Sequence, residues 1–545
     1  MGRFACFGII FSLLTGGNLA PANASPKHPG VTGTTIDPAL GTLHHAVSTQ
    51  SKQAQLFFDQ GLKLTYAFNR EAAVQSYQRA LELDPNLAMA YWGIAYASGP
   101  DINNPMTAER KLKAFEAVEK AVVLESRATT LEREYIEALR KRYSANEPAD
   151  RTPLDVAFKD AMAALSTRHP EDIDAAVLYA ESFMVLHAWK WWRPDGTPEE
   201  GTREIVAVLQ RALQAQPDHI GANHYYVHAV EMSPDPGLGL PAARRLETLA
   251  PSAGHLIHMP AHIYMRTGEY LDAARVNEAA AHADEHVHAM DDQSEYLPYY
   301  HGHNLHFLTV SYSYAGASDK AAAAAARLWA KALPDLKVQP EISDYYCSNP
   351  AQVYVLFDRW PDVLRMQEPP AEAPLSRAFF HFARTLAFAG TGKPGQAKEE
   401  RAIFATAVAA FGPKDSYGLS PAADVMAVAL PYLDGRLALM ANDLPAAAAS
   451  FRLAASAEDK LAYDEPPDWY LASNWMLGMT LLKLGDAGSA EAAFRADLRR
   501  NIEHGRSLSG LAIALRKQGK TAEANEVQKR FEYAWRGADV RFGDL

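Results

Sequence analysis

Gly61-Leu-Lys-Leu-Thr-Tyr-Ala-Phe-Asn-Arg-Glu-Ala-Ala73-Val-Gln-Ser-Tyr77-Gln-Arg-Ala80-Leu-Glu-Leu-Asp-Pro85 reads as the end of one helix, a turn, and a second helix that stops at proline. Small residues at Gly61, Ala73 and Ala80 let two antiparallel helices approach closely. Tyr77 fills the space between them. Pro85 ends the second helix because it has no amide hydrogen to donate. From Gln53 onward Ala, Leu, Glu and Arg recur with helical period, and alternating β-branched runs are absent, so the chain is expected to be all-α.

The far end of the chain repeats the pattern. Gly485-Asp486 and Gly519-Lys520 are turns 34 residues apart, and Ala490 and Phe494 occupy the small and aromatic places marked by Ala73 and Tyr77. This period resembles the tetratricopeptide repeat, whose unit is a helix hairpin of 34 residues. The resemblance implies an α-solenoid superhelix of antiparallel helix pairs, here with irregular insertions. Three blocks follow: N-terminal repeats over residues 53–146, a central His-rich block over 147–333, and C-terminal repeats over 334–545.

Composition narrows the function classes. The chain has 545 residues, 48% hydrophobic and 22% charged, and a formal charge of −12, without a long basic run; nucleic acid is not the expected partner. Two cysteines cannot build a disulfide framework or a Cys-rich zinc module. Arg3, an apolar run from Phe4 to Leu14, and Ala22-Asn-Ala24 read as a secretory signal over residues 1–24, followed by an extension over 25–52. Export to the periplasm or beyond is therefore expected, with no membrane span in the mature chain.

The 19 histidines concentrate in the central block, in phase with the repeat. Counting back from the turn at Gly268, His262, His258 and His255 lie 6, 10 and 13 residues earlier. Counting back from Pro234, one period upstream, His228 and His224 lie at 6 and 10, and Glu231 at 3. Before Gly316, His306 and His303 lie at 10 and 13. Such offsets form one stripe on each helix. With helix axes about 10 Å apart, His224, His258 and His306 are expected to form a row, flanked by His228 with His262 and His255 with His303. The first helix of each tetratricopeptide pair lines the concave groove, so the resemblance places this stripe on the ligand-binding face.

Neutral imidazole suits copper, zinc or iron, and histidines four apart chelate from one helix face. Copper and zinc rank ahead of iron because carboxylates at matching offsets are few; the number of ions is open. Glu231 is the candidate carboxylate ligand or general base, and Tyr264 a second candidate catalytic group. The competing reading is a hydrogen-bonded ladder of histidines with Asn223, Asn277, Asn304, Tyr225 and Tyr264. Trp192, in the loop with Trp189 and Trp191, and Tyr463, Glu465 and Tyr470 are candidate substrate contacts. His282, His286 and His288 read as part of a polar interruption over residues 282–298, and His28, His44 and His45 as a tail. Cys347 has no catalytic pattern around it.

Five blocks are similar to a group of exported bacterial tetratricopeptide-repeat proteins: Ala88-Met-Ala-Tyr-Trp-Gly-Ile-Ala95, His224-Tyr-Tyr-Val-His-Ala-Val-Glu231, Gly254-His-Leu-Ile-His-Met-Pro-Ala-His-Ile-Tyr264, His303-Asn-Leu-His-Phe307 and Tyr463-Asp-Glu-Pro-Pro-Asp-Trp-Tyr470. The resemblance implies the repeat fold and a shared His-rich groove, and carries no reaction with it. The expected function is a metal-dependent enzyme, more oxidoreductase than hydrolase, acting on a small substrate in the groove. The alternatives are a peptide- or protein-binding scaffold without catalysis, and a metal storage or delivery protein.

Overall fold

Tyr77 is fully buried between two glycines: a Cβ added to Gly61 or to Gly93 would come within 2.6 or 2.5 Å of its ring. Phe494 sits in the same way against Gly478 and Gly510, at 2.6 and 2.3 Å. The aromatic of each hairpin thus locks its own first helix and that of the next repeat, which is how one period stacks on another. The computed structural model describes residues 33–540 except 105, 147, 194 and 289–295. The signal-peptide reading and His28 lie outside the described residues.

The architecture is an all-α array of antiparallel helix pairs, as the sequence predicts. α1 (Lys52–Tyr66) and α2 (Arg70–Leu83) form the first hairpin. At the other end Ser473–Lys483 pairs with Ala487–Arg500, and Gly505–Lys517 with Thr521–Ala534. Among the described residues the only strands are Ser416–Tyr417 and Ser420–Pro421, a two-residue ribbon. Side-chain caps start several helices: Ser51 accepts from the Ala54 amide, Asn69 from that of Ala72, and Asp486 from that of Ser489. The turns at Gly268 and Gly485 are left-handed, with φ of 81° and 85°. In the first hairpin Phe68 holds that conformation, φ 58°, although it carries a bulky side chain.

Five helices carry the central histidines and their supports: α3 (Ile220–Glu231), α4 (Gly254–His258), α5 (Pro260–Thr267), α6 (Tyr270–His288) and α7 (Tyr296–Tyr314). The stretch from His255 to Gly268, read as one helix in the sequence, is divided at Met259, because Pro260 has no N–H for the ladder. The polar interruption expected from residue 282 is also corrected: α6 continues to His288.

His44 and His45 are not a tail. His44 Nδ1 bonds Asp59 at 2.7 Å and His45 Nδ1 bonds Asp174 at 2.7 Å, pinning the N-terminal strap to the first repeats. No helix among the described residues is long and apolar enough to cross a membrane.

Candidate metal centre

Six of the seven central histidines meet as two trios. His224, His228 and His255 offer ring nitrogens that all lie within 4.8 Å of one another, and so do His258, His262 and His303. The trios are neighbours: the His228 and His262 ring centroids are 5.5 Å apart, those of His255 and His258 5.8 Å.

Hydrogen bonds fix which nitrogen each ring turns inward. His224 Nδ1 donates to the Tyr66 carbonyl at 2.6 Å. His258 Nδ1 donates to Asn277 Oδ1 at 2.7 Å, and the Asn277 amide nitrogen donates to the Ala273 carbonyl, leaving its oxygen for the ring. Glu231 takes both remaining protons: Oε1 accepts from His228 Nδ1 at 2.6 Å and Oε2 from His262 Nδ1 at 2.5 Å. Four rings therefore turn Nε2 inward. This is the arrangement by which outer carboxylate and carbonyl groups orient metal-binding imidazoles.

The inward nitrogens crowd together. His258 Nε2 lies 2.9 Å from His262 Nε2, and His255 Nε2 lies 3.1 Å from His224 Nε2. His228 Nε2 is buried with no protein partner. A four-coordinate ion with bonds of 2.0–2.1 Å separates its nitrogen ligands by about 3.3 Å, so both close pairs are near a ligand-to-ligand edge.

Electrostatics favours neutral, ligand-ready rings at five of the six positions. Burial, then repulsion from His228, His224, His262 and His258 respectively, pushes His224, His255, His258 and His303 well below the usual imidazole range. Burial also lowers His228, although Glu231 opposes it. His262 goes the other way: burial is the largest single effect and lowers it, but Glu231, joined by Glu465 and Asp464, holds the ring above its ordinary value. Burial would raise Glu231; its two imidazole partners hold it down to about 2.

Aromatic rings close the site. Phe68 lies 4.6 Å from His224 and 5.1 Å from His255, and Phe307 lies 4.6, 4.7 and 4.9 Å from His258, His262 and His303 between ring centroids. Trp189 meets His228 edge-on at 5.4 Å. The face that holds the histidines is covered by the N-terminal hairpin turn and by the segment around Glu465. Five of the six histidines are at most 2% exposed, and only His303 is partly open. A solvent-open cavity of about 750 Å³ lies elsewhere, lined by Val47, Ser48, Thr49, Asp84, Asn86 and Arg127.

The predicted row is corrected. Of the pairs with equal offset, His228 and His262 do stand together, 5.5 Å apart between ring centroids on the shared Glu231 carboxylate, whereas His224 meets His255 and His258 meets His303. His306 leaves the set: its ring packs on Tyr345 at 5.1 Å and Tyr346 at 5.8 Å, and burial lowers it to about 3. His303, counted from the same Gly316, joins the trio, while His306 faces the tyrosines of the following helix.

Other sequence candidates divide. Glu465 reaches the centre, offering an oxygen within 4.8 Å of Glu231 and His262 ligand atoms. Tyr463 stands behind it, donating to Glu465 Oε1 at 2.6 Å, with the Arg266 guanidinium over its ring. Tyr470 is absent from the centre, its hydroxyl held by Asn349 at 3.2 Å. Tyr264 points away and donates to Glu247 at 2.5 Å. Trp192 is turned inward, its indole N–H on the Ala229 carbonyl at 2.8 Å, so it presents no free edge to a ligand. Glu231 has both oxygens engaged by imidazoles, which makes it an orienting group before it is a base. Of the competing ladder only Asn277 bonds a central histidine; Asn304 bonds Asp284, and Asn223 bonds the Pro217 and His219 carbonyls. Cys347 is buried, its thiol pushed up to about 12 by desolvation.

Sequence reasoning missed Tyr66 and Phe68. The left-handed Phe68 is invisible in composition, and the Tyr66 carbonyl meets a histidine 158 positions away.

Comparison with known proteins agrees with the repeat reading. The tetratricopeptide repeat family matches residues 54–87, the hairpin of α1 and α2. No curated protein matches the sequence. Solved structures to which the chain is similar include the human IFIT1 dimer with m7Gppp-AAAA (13% identity, TM-score 0.31, 90% of this chain and 91% of that one). Yeast Tom70 gives 12% identity and a TM-score of 0.28 over 91% of this chain and 94% of that one. The APC/C hetero-tetramer Cut9-Hcn1 gives 13% and 0.29 over 88% and 76%.

Proposed function

We propose that this protein is an exported tetratricopeptide-type superhelix whose central histidines bind a transition metal, copper or zinc ahead of iron, and that the metal serves a reaction on a small substrate. One observation carries the reading: four buried imidazoles donate Nδ1–H outward and converge through their Nε2 atoms, two of them 2.9 Å apart. Where both rings are neutral, two facing lone pairs repel, and a cation between or beside them turns repulsion into ligation.

When bound, the metal supplies Lewis acidity or electron transfer. The chain's own groups do the rest. Glu231 orients His228 and His262 and raises their basicity, and Asn277 does the same for His258. Phe68 and Phe307 exclude water. Glu465 holds a proton beside the second trio: burial first, with Glu231 adding to it, raises its carboxyl to about 8 against the opposing pull of Arg266 and His262. Oxidoreduction is the favoured class, because copper and iron change oxidation state on imidazole ligands and both Glu231 oxygens are already engaged by His228 and His262.

The test is metal analysis of the full chain purified without an affinity tag and reconstituted under argon. The reading predicts at least one tightly held equivalent; less than about 0.2 equivalents of any transition metal ends it. A peptide-binding scaffold is the second reading, favoured by the open cavity beside Val47 and Arg127. It predicts partner binding that survives chelator.

A further inference from the structure

We infer that the two histidine trios hold a pair of copper ions that act together on dioxygen as a two-electron unit, an inference that rests on the metal reading above. The trios match in composition: three imidazoles each, with no carboxylate or thiolate among the six rings. Each contains one close Nε2 pair, His224 with His255 at 3.1 Å and His258 with His262 at 2.9 Å. The two pairs lie in different trios, whose facing rings are 5.5 and 5.8 Å apart between centroids, so each pair is assigned as the edge of its own ion. Each ion then has three nitrogens and an open position.

Glu231 ties the two halves into one unit. Its Oε1 holds His228 of the first trio and its Oε2 holds His262 of the second. A change of charge on either ion is felt by the same carboxylate, so the pair is coupled through the protein as well as through proximity. An all-imidazole set of three suits copper in both its oxidation states, and copper(II) tops the affinity order for nitrogen ligands.

The reactant follows from the burial. With five rings at most 2% exposed and Phe68 and Phe307 packed over them, the burial favours a diatomic reactant over a larger organic one. Dioxygen is such a molecule and accepts electrons in pairs. Each copper(I) loses one electron; the two electrons together reduce one dioxygen to the peroxide level. Both oxygen atoms stay on the pair, and no proton moves in this step.

The experiment uses the full tag-free chain loaded with copper(I) under argon, then exposed to measured dioxygen. Expected are about two coppers per chain, about one dioxygen consumed per two coppers, and an oxidised product almost silent in electron paramagnetic resonance because the two spins pair. One copper per chain, or two coppers giving the full signal of isolated copper(II), overturns the inference while leaving the metal reading standing. No bound copper or other metal removes both.

Discussion

The Nε2 atoms of His258 and His262 lie 2.9 Å apart although each ring already donates its Nδ1 proton elsewhere, to Asn277 and to Glu231. With both protons committed, only an additional proton or a cation makes that contact attractive. Glu231 holding His262 above its usual range describes the first solution. Metal ligation is the second, and the convergence of His303 beside the pair favours it.

Glu231→Gln tests the shared carboxylate. The amide keeps one acceptor oxygen but turns an NH₂ towards one of the two imidazole N–H groups, so either His228 or His262 loses its orientation. Metal affinity, measured by chelator competition, should fall about 10–100-fold. An unchanged affinity would mean that the carboxylate is not part of the centre.

His228→Ala and His306→Ala separate the trios from the row that equal offsets suggest. His228 belongs to a trio, and its loss should weaken binding by more than the 10–100-fold typical of outer partners. His306 packs among tyrosines, so its replacement should leave affinity within about 2-fold, once the folded fraction is matched by circular dichroism. Equal losses would restore the row.

How much of this was legible follows from the range of the interactions. Tyr77, Gly61 and the second-helix alanines declare the hairpin because hairpin packing is local and repeats with the period. The histidine set was legible from phase, but its grouping was not: Pro260 divides the helix, and His303 joins a trio while His306 faces the tyrosines of the following helix. The covers, Phe68 from the first repeat and Glu465 from the last block, come from residues far away in sequence, which no local pattern encodes.

Tyr77→Ala probes the fold itself. The ring is fully buried between Gly61 and Gly93, and removing it leaves a cavity between two repeats that the backbone cannot easily fill. Denaturant unfolding should show a loss of about 3–5 kcal/mol. A loss below about 1 kcal/mol would contradict the tight stacking described for this repeat.

Asp284 gives a pH dependence with a defined sign. Burial pushes its carboxyl up to about 8, only partly offset by the Tyr296 hydroxyl at 3.3 Å and the Asn304 amide at 2.7 Å. Unfolded, the group titrates near ~3.9. Between these values the native chain keeps a proton that the unfolded chain has released, so stability falls as pH rises from about 4 to about 8. Asp284→Asn should remove up to ~1.4 kcal/mol per pH unit of that slope in denaturant melts at stepped pH. A variant with the same slope as the parent would place the titration elsewhere.

X-ray absorption on the metal-loaded, tag-free chain asks most directly whether the converging rings are ligands. The account predicts a first shell of about three nitrogens near 2.0–2.1 Å, with the outer-shell scattering of imidazole rings. A shell of oxygen or sulfur donors without imidazole scattering would contradict it.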